Sequence, residues 1–322
     1  MRLISTIAAA LLASVASAAA QDWPTRTLTI VVPFAAGGAS DVIARILADG
    51  LRTELGQSVI VENVGGASLL GVVRVARAAP DGYQMVLGNV GTHAQNQWLY
   101  KKPPYNAATD FAPVSLVTSQ SLLLTVRKDF PADGLPAFIA YAKANQATLK
   151  FGSAGVGGSN HLACVLLNSA IGIETTHVPY RSGPQAMQDM IAGRIDYQCP
   201  SAPVALPQIE AKTVKALAIL SKTRSSAMPD LPAADEQGLT GFDIPSWYAL
   251  FVPAATPPDV VRRLNSAIVA TLKTARVQQR LKEIGSDPIS PEQMTPAYLR
   301  QFIASEIEKW GRVIKASGIQ LD

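Results

Sequence analysis

Two short stretches pair glycine with other small residues in a way that suits anion binding. Pro33-Phe34-Ala35-Ala36-Gly37-Gly38-Ala39-Ser40-Asp41 joins an apolar run to a helical pattern, and Gly152-Ser153-Ala154-Gly155-Val156-Gly157-Gly158-Ser159-Asn160 does the same further on. Glycine lets backbone N–H groups come close to a ligand and accepts positive φ. The first N–H groups of a helix have no intrahelical partner and carry partial positive charge. A carboxylate placed there accepts several hydrogen bonds without a lysine, gaining about 0.3–2 kcal/mol per helix end. A lone loop of this kind is a weak signal and is commonly an ordinary turn. Two of them, each at the first strand-to-helix turn of its block, point to a small acid gripped from two sides. Neither loop carries the G-x-x-x-x-G-K-[ST] lysine and hydroxyl of a nucleoside triphosphate site, and the first lacks G-x-G-x-x-G.

Other chemistry-bearing residues compete for a role. His161 follows the second loop on the first helical turn, where it can reach a ligand or simply pack. His93 and His177 are isolated, with no H-x-x-x-H spacing, so no metal site is expected. Ser153, His161 and Asp196 form a hydrolase triad on paper only. Gly152-Ser153-Ala154-Gly155 is not the G-x-S-x-G elbow, and no catalytic residue is expected. Tyr180, Arg181 and Ser182 follow a strand ending at Pro179 and can line a cleft. Asp196 ends another strand, with capping of the next turn as the plain alternative. Asp41 and Arg45 make an i,i+4 pair of structural character.

The elements that position these loops follow from periodicity. An apolar strand at 28–32 ends at Pro33. From Asp41 the pattern turns helical, with Ile43, Ile46, Leu47, Leu51 and Leu55 on one face and Gly56 as the stop. A strand at 59–61, a helix at 69–78, a turn at 80–82 and a strand at 84–87 follow. After a strand at 122–126 and a helix near 136–144, the alternation restarts. Strands are expected at 149–152, 175–178, 194–198 and 214–220, with helices at 160–170 and 184–192 between them. Residues 221–245 are turn-rich. A strand at 247–252 and helices at 258–274, 277–284 and 296–316 complete the chain. The fold class is α/β, with two domains, each a mainly parallel sheet flanked by helices. The first domain is expected over 21–122 and 241–322, and the second over 123–240. In such sheets ligands bind at the carboxyl ends of the strands, where both loops lie.

A length of 322 residues agrees with two domains at about 100–200 residues each. With 48% hydrophobic and 16% charged residues, a disordered chain is excluded. The net charge of +4 comes from scattered residues, with no basic run longer than Lys101-Lys102 or Arg262-Arg263, so nucleic acid is not an expected partner. Arg2, an apolar stretch at 3–15 and Ala16-Ser17-Ala18-Ala19-Ala20 read as a signal peptide over 1–20, cleaved after Ala18 or Ala20. No later segment has transmembrane length, and the product is expected to be exported. Cys164 and Cys199 can pair in an oxidising compartment, or remain two buried thiols.

The ordered combination of motifs resembles the Bug family, the TctC-type solute-binding proteins of tripartite tricarboxylate transporters. It includes Ile30-Val31-Val32-Pro33-Phe34-Ala35-Ala36-Gly37-Gly38 with Asp41 and Arg45, Val61-Glu62-Asn63, and Pro80-Asp81-Gly82-Tyr83. It continues through Asp110-Phe111-Ala112-Pro113-Val114, His161-Leu162-Ala163, His177-Val178-Pro179-Tyr180 and Arg263-Leu264-Asn265, spanning essentially the whole mature chain. The resemblance implies a two-domain flytrap in the periplasm that holds a carboxylate between the two loops, partly through ordered waters. It places Phe34, Ala35, Ala36, Gly38 and Ser40 on one arm, and Ser153, Gly155, Ser159 and His161 on the other. Residues 88–92, with Asn89 and Thr92 among them, Tyr180, Arg181 and Asp196 carry over as selectivity candidates. Where the family often has an R-P-G-A-G-G-like loop, this chain has Val64-Gly65-Gly66-Ala67-Ser68; its usual Y-K-G is Tyr180-Arg181-Ser182. Arg181 offers a planar fork to a second carboxylate, with Ser182, Ser201 and His93 as polar neighbours.

The expected function is therefore a monomeric, cofactor-free receptor for a di- or tricarboxylate, aromatic acids such as terephthalate included. It would deliver the acid to integral-membrane transporter subunits without spanning the membrane itself. A ligand sensor for a signalling receptor, or a secreted hydrolase using Ser153 and His161, are the alternatives.

Overall fold

A computed structural model of the protein describes residues 23–65, 68–225, 228–244, 246–317 and 320. The export signal expected over 1–20 lies outside the described residues, as do Gly66 and Ala67.

The chain builds two sheets. Strand β1 (Leu28–Val32) is buried except at the half-buried Thr29 and lies parallel to β2 (Val59–Asn63) and β3 (Gln84–Asn89). Helix α1 (Ala39–Leu55) crosses from β1 to β2, burying the expected Ile43, Ile46, Leu47, Leu51 and Leu55 stripe and ending at Gly56 with φ 66°. Helix α2 (Leu70–Ala76) makes the next crossover. One π-helical turn, Gly91–Gln95, then leads into α3 (Asn96–Leu99). The full order in this first sheet is β11 (Ser286–Asp287), β4 (Phe111–Gln120), β10 (Ser246–Pro253), β3, β1 and β2.

The second sheet runs β7-β6-β8-β5-β9. It contains β5 (Leu123–Arg127), β6 (Lys150–Ser153), β7 (Thr176–Pro179), β8 (Tyr197–Gln198) and β9 (Val214–Ile219). Its helices are α4 (Leu135–Asn145), α5 (Ser159–Ile171), α6 (Gly183–Ile191) and α7 (Ala202–Glu210). The chain leaves the first sheet after β4 (Phe111–Gln120) and returns with β10 (Ser246–Pro253).

The sheets are mixed, which corrects the expectation of mainly parallel sheets. Strand β10 runs antiparallel between β3 and β4, β11 (Ser286–Asp287) runs antiparallel to β4, and β5 runs antiparallel to β8 and β9. Strands β5 and β10 each enter their sheet from the other one, so no helical crossover within the sheet sets their direction. The sequence hides β4 because Pro113, Ser115, Thr118 and Ser119 interrupt its apolar pattern. Two of those hydroxyls are satisfied inside: Ser115 Oγ donates to Met294 O (3.0 Å) and Thr118 Oγ1 to Asp287 O (2.7 Å).

The C-terminal helices α8 (Pro258–Lys273), α9 (Ala275–Glu283) and α10 (Pro296–Ser317) pack on the first sheet and its helix α1. The buried Glu306 carboxylate accepts from Trp247 Nε1 (2.9 Å) and Trp310 Nε1 (3.2 Å), fastening α10 to β10. Cys164 and Cys199 form a disulfide with Cα atoms 5.5 Å apart, tying α5 to the segment after β8. This resolves the open choice between a bond and two thiols.

Candidate functional site

Both glycine-bearing loops lie at the carboxyl ends of their strands and meet across a cavity. The first sheet's side contributes Phe34, Ala35, Gly38, Ala39, Ser40, Asn89 and Tyr248; the other contributes Ala154, Gly158, Ser159, Asn160, Arg181, Ser182, Gly183 and Ser201. An adjoining cavity shares Phe34, Ala35, Ala154, Gly158 and Arg181, and adds Ser68, Gly155 and Tyr180 among others. Among the described residues, Arg181 is the only charged side chain lining either cavity.

Four helices begin at this cavity. Gly38 caps α1, Gly158 caps α5, Ser182 caps α6 and Ser201 caps α7, and none of them makes a side-chain cap hydrogen bond. All four caps line the cavity. Their first-turn N–H groups thus converge on one space, where the summed dipoles favour negative charge. The loops hold their shape by committing other donors. Gly37 N–H donates to Asp41 Oδ2 (3.0 Å), Gly155 N–H to Ser153 Oγ (3.2 Å), and Gly157 N–H to His161 Nδ1 (3.3 Å). Asp41 also takes Arg45 Nε (3.0 Å). Burial would raise its carboxyl, but the Arg45 and Gly37 bonds outweigh that and hold it below the usual range.

Of the expected site residues, Phe34, Ala35, Gly38, Ser40, Asn89, Ser159 and Arg181 line the main cavity, and Gly155 and Tyr180 the adjoining one. The Tyr180 hydroxyl is already spent on Asp189 Oδ2 (2.8 Å), and burial with that carboxylate pushes its phenol up to about 12.

Six expected residues line neither cavity. Ala36 sits exposed on the outside of its turn. Thr92 is fully buried; its N–H donates to Asn89 Oδ1 (3.1 Å) and its hydroxyl accepts Asn89 N–H (2.9 Å), so it orients Asn89 instead of touching a ligand. His93 stacks on Phe251 with centroids 3.9 Å apart and fills the space over Gly88, so it is no polar neighbour of Arg181. Burial pushes its imidazole down to about 3. Ser153 is fully buried, with Oγ 2.7 Å from His177 Nε2. His161 turns behind the loop, its ring 4.2 Å from that of His177, and with His177 lines a separate open pocket. Asp196 accepts Lys150 N–H (2.9 Å) and Arg127 Nε (3.1 Å) at the far end of β6. Ser153, His161 and Asp196 are therefore not assembled into a triad. Among the described residues no cluster of three His, Cys, Asp or Glu side chains is placed to hold a metal ion.

Sequence reasoning missed Tyr248. Its strand was legible, but only the alternation of sides shows that Trp247 faces α10 while Tyr248 faces the cavity. Burial raises its phenol, opposed by Ser40 and Asn89 at the hydroxyl.

A family pattern described as "Tripartite tricarboxylate transporter family receptor", TctC, matches residues 43–319. The chain belongs to this receptor family. As a TctC receptor it is a solute-binding protein, and its relatives agree. A "UPF0065 protein in the TAR-I ttuE-ttuC' intergenic region" of Agrobacterium vitis is 39% identical over 94% of this chain and 87% of its own. The periplasmic binding protein BugD superposes with a TM-score of 0.89 at 34% identity, covering 92% of this chain and 99% of that one. MatC from Rhodopseudomonas palustris, solved with bound malate, gives 0.87 at 38% identity, covering 91% and 100%. Among the described residues, no helix of this receptor is long and apolar enough to cross a membrane.

Proposed function

We propose that this receptor captures a small di- or tricarboxylate in the periplasm and delivers it to the membrane subunits of a tripartite transporter. The observation that carries the proposal is the convergence of four helix N-termini and one cation, Arg181, on a cavity between two sheets. One carboxylate sits between the α1 and α5 N-termini, at Gly38–Ser40 and Gly158–Asn160. The malate in MatC supports an acid of this size. Aromatic diacids such as terephthalate fall within the same chemistry. The two lobes, 21–122 with 241–322 and 123–240, close on the acid as a monomer. Closure follows from the ligand's higher affinity for the closed arrangement. No bond is made or broken in this cycle and no catalytic residue is assigned.

A thermal-shift screen of mono-, di- and tricarboxylates tests it. An acid at 100 times its Kd stabilises the fold by about 2.7 kcal/mol, a rise of several degrees in Tm. No stabilisation by any acid would overturn the proposal.

A further inference from the structure

Ser182 and Ser201 stand out in the cavity. Each is 8% exposed and occupies the N-cap of a nine-residue helix, a position where serine ordinarily turns its hydroxyl back onto the helix. Neither does so, and among the described residues neither hydroxyl has a hydrogen-bond partner. Both line the cavity with Arg181, whose guanidinium forms no ion pair. The two helix starts adjoin: a Cβ on Gly183 would lie 3.5 Å from both Val204 methyl groups, and Val204 is in the first turn of α7. Two uncommitted hydroxyls, two sets of free first-turn N–H groups and a guanidinium thus share one corner, with no carboxylate among the cavity's lining residues.

We infer that Arg181, Ser182 and Ser201 form a second anion seat, built wholly on the second lobe, which takes the far carboxylate of a diacid. The inference rests on the receptor reading above and narrows it, because a monoacid would leave this seat's donors unpaired. Buried donors left unpaired are penalised more than matched ones are rewarded, so the seat selects against monoacids. It also orders the binding steps. The second lobe carries three of the four helix starts and Arg181, the only cation lining the cavity among the described residues, so the diacid docks there first, and α1, Asn89 and Tyr248 close over it.

Calorimetric titration tests the seat with matched pairs: succinate against butyrate, adipate against hexanoate, and terephthalate against benzoate. Wild-type protein should bind at least one diacid about tenfold or more tightly than its monoacid. Arg181→Gln, and Ser182→Ala with Ser201→Ala, should each weaken that diacid about tenfold, and clearly more than they weaken its matched monoacid. Arg181→Lys, which keeps charge but loses the fork, should fall between. Because neither serine caps its helix, the double serine variant should melt within about 2 °C of wild type. Serines with a purely structural role would instead lower Tm and weaken both acid classes together, which would overturn the seat. Equal affinity for diacid and monoacid in every pair would overturn it too, while leaving the receptor reading intact. Wild-type protein that binds neither class would overturn both.

Discussion

Ser153 Oγ lies 2.7 Å from His177 Nε2, and the same hydroxyl spans Gly155 in the second loop, 3.2 Å from its N and 3.1 Å from its O. Beside it, His161 Nδ1 accepts Gly157 N–H, which places that ring's proton on Nε2. Two histidines behind the cavity therefore hold the loop that presents the α5 N-terminus in front of it. The serine that resembles a nucleophile in sequence is a brace in three dimensions.

Removing that brace should loosen the loop. Ser153→Ala is expected to cost about 1–3 kcal/mol, since His177 and Gly155 lose a buried partner. Acid affinity should fall at the same time, because first-turn N–H groups that must be reordered on binding lose preorganisation. Denaturant midpoints and calorimetry on one preparation read both effects. Full stability with unchanged affinity would contradict the bracing role.

The histidines also set a pH dependence. Burial holds His93 and His161 at about 3, His161 with a further push from His177, and holds His177 at about 4, against an ordinary 6.5. All three are neutral in the fold, and the unfolded chain binds their protons first. Stability is therefore full above about pH 6.5 and falls as pH drops from there toward 4. The slope is up to about 1.4 kcal/mol per pH unit for each histidine. Urea midpoints between pH 7.5 and 4 should show the decline, and His177→Gln should flatten it. A flat profile would contradict the burial of these rings.

Gly91 brings the lobes together. A Cβ there would lie 3.2 Å from Asn89 Oδ1 in its own lobe, 3.3 Å from Gly157 O and 3.5 Å from Ser159 N, so the π-turn of the first lobe touches the second glycine-bearing loop. Gly91→Leu should prop the lobes apart. It should weaken acid binding severalfold or more, since opening relieves the contacts with the second lobe. Small-angle scattering should then show no ligand-induced compaction. Unchanged affinity and compaction would mean that these two segments do not meet in the bound form.

The disulfide closes a loop of 35 residues between α5 and the entry to α7. Replacing both cysteines by alanine should cost about 3–4 kcal/mol by the loop-entropy estimate. Unfolding with and without reductant checks the value; no difference would show that the two segments are held together without it.

These features differ in how far the sequence disclosed them. Strand β1, helix α1 and both loops were legible because Leu28–Val32 is apolar but for Thr29 and Ile43, Ile46, Leu47, Leu51 and Leu55 keep a helical period. Strand β4 was not, because its polar residues are satisfied by tertiary partners such as Met294 O, which no local pattern reveals. Helix α7 was hidden by Pro203 and Pro207, although the first of these sits where proline is tolerated. At the site, the two arms could be placed from the loops alone. The facing of individual side chains could not: His161 and His177 look alike in sequence, and only the fold shows that both stand behind the loop. Asp196 was misplaced because Arg127, its partner, lies 69 residues away in sequence.

An acid bound by this receptor should sit between the N-termini of α1 and α5. A crystal structure of the complex with whichever carboxylate raises Tm most tests it directly. The expected result is carboxylate oxygens about 2.7–3.2 Å from the first-turn N–H groups of both helices, directly or through one water. An acid bound elsewhere, such as the pocket lined by His161 and His177, with the space between Ser40 and Ser159 taken only by solvent, would contradict it.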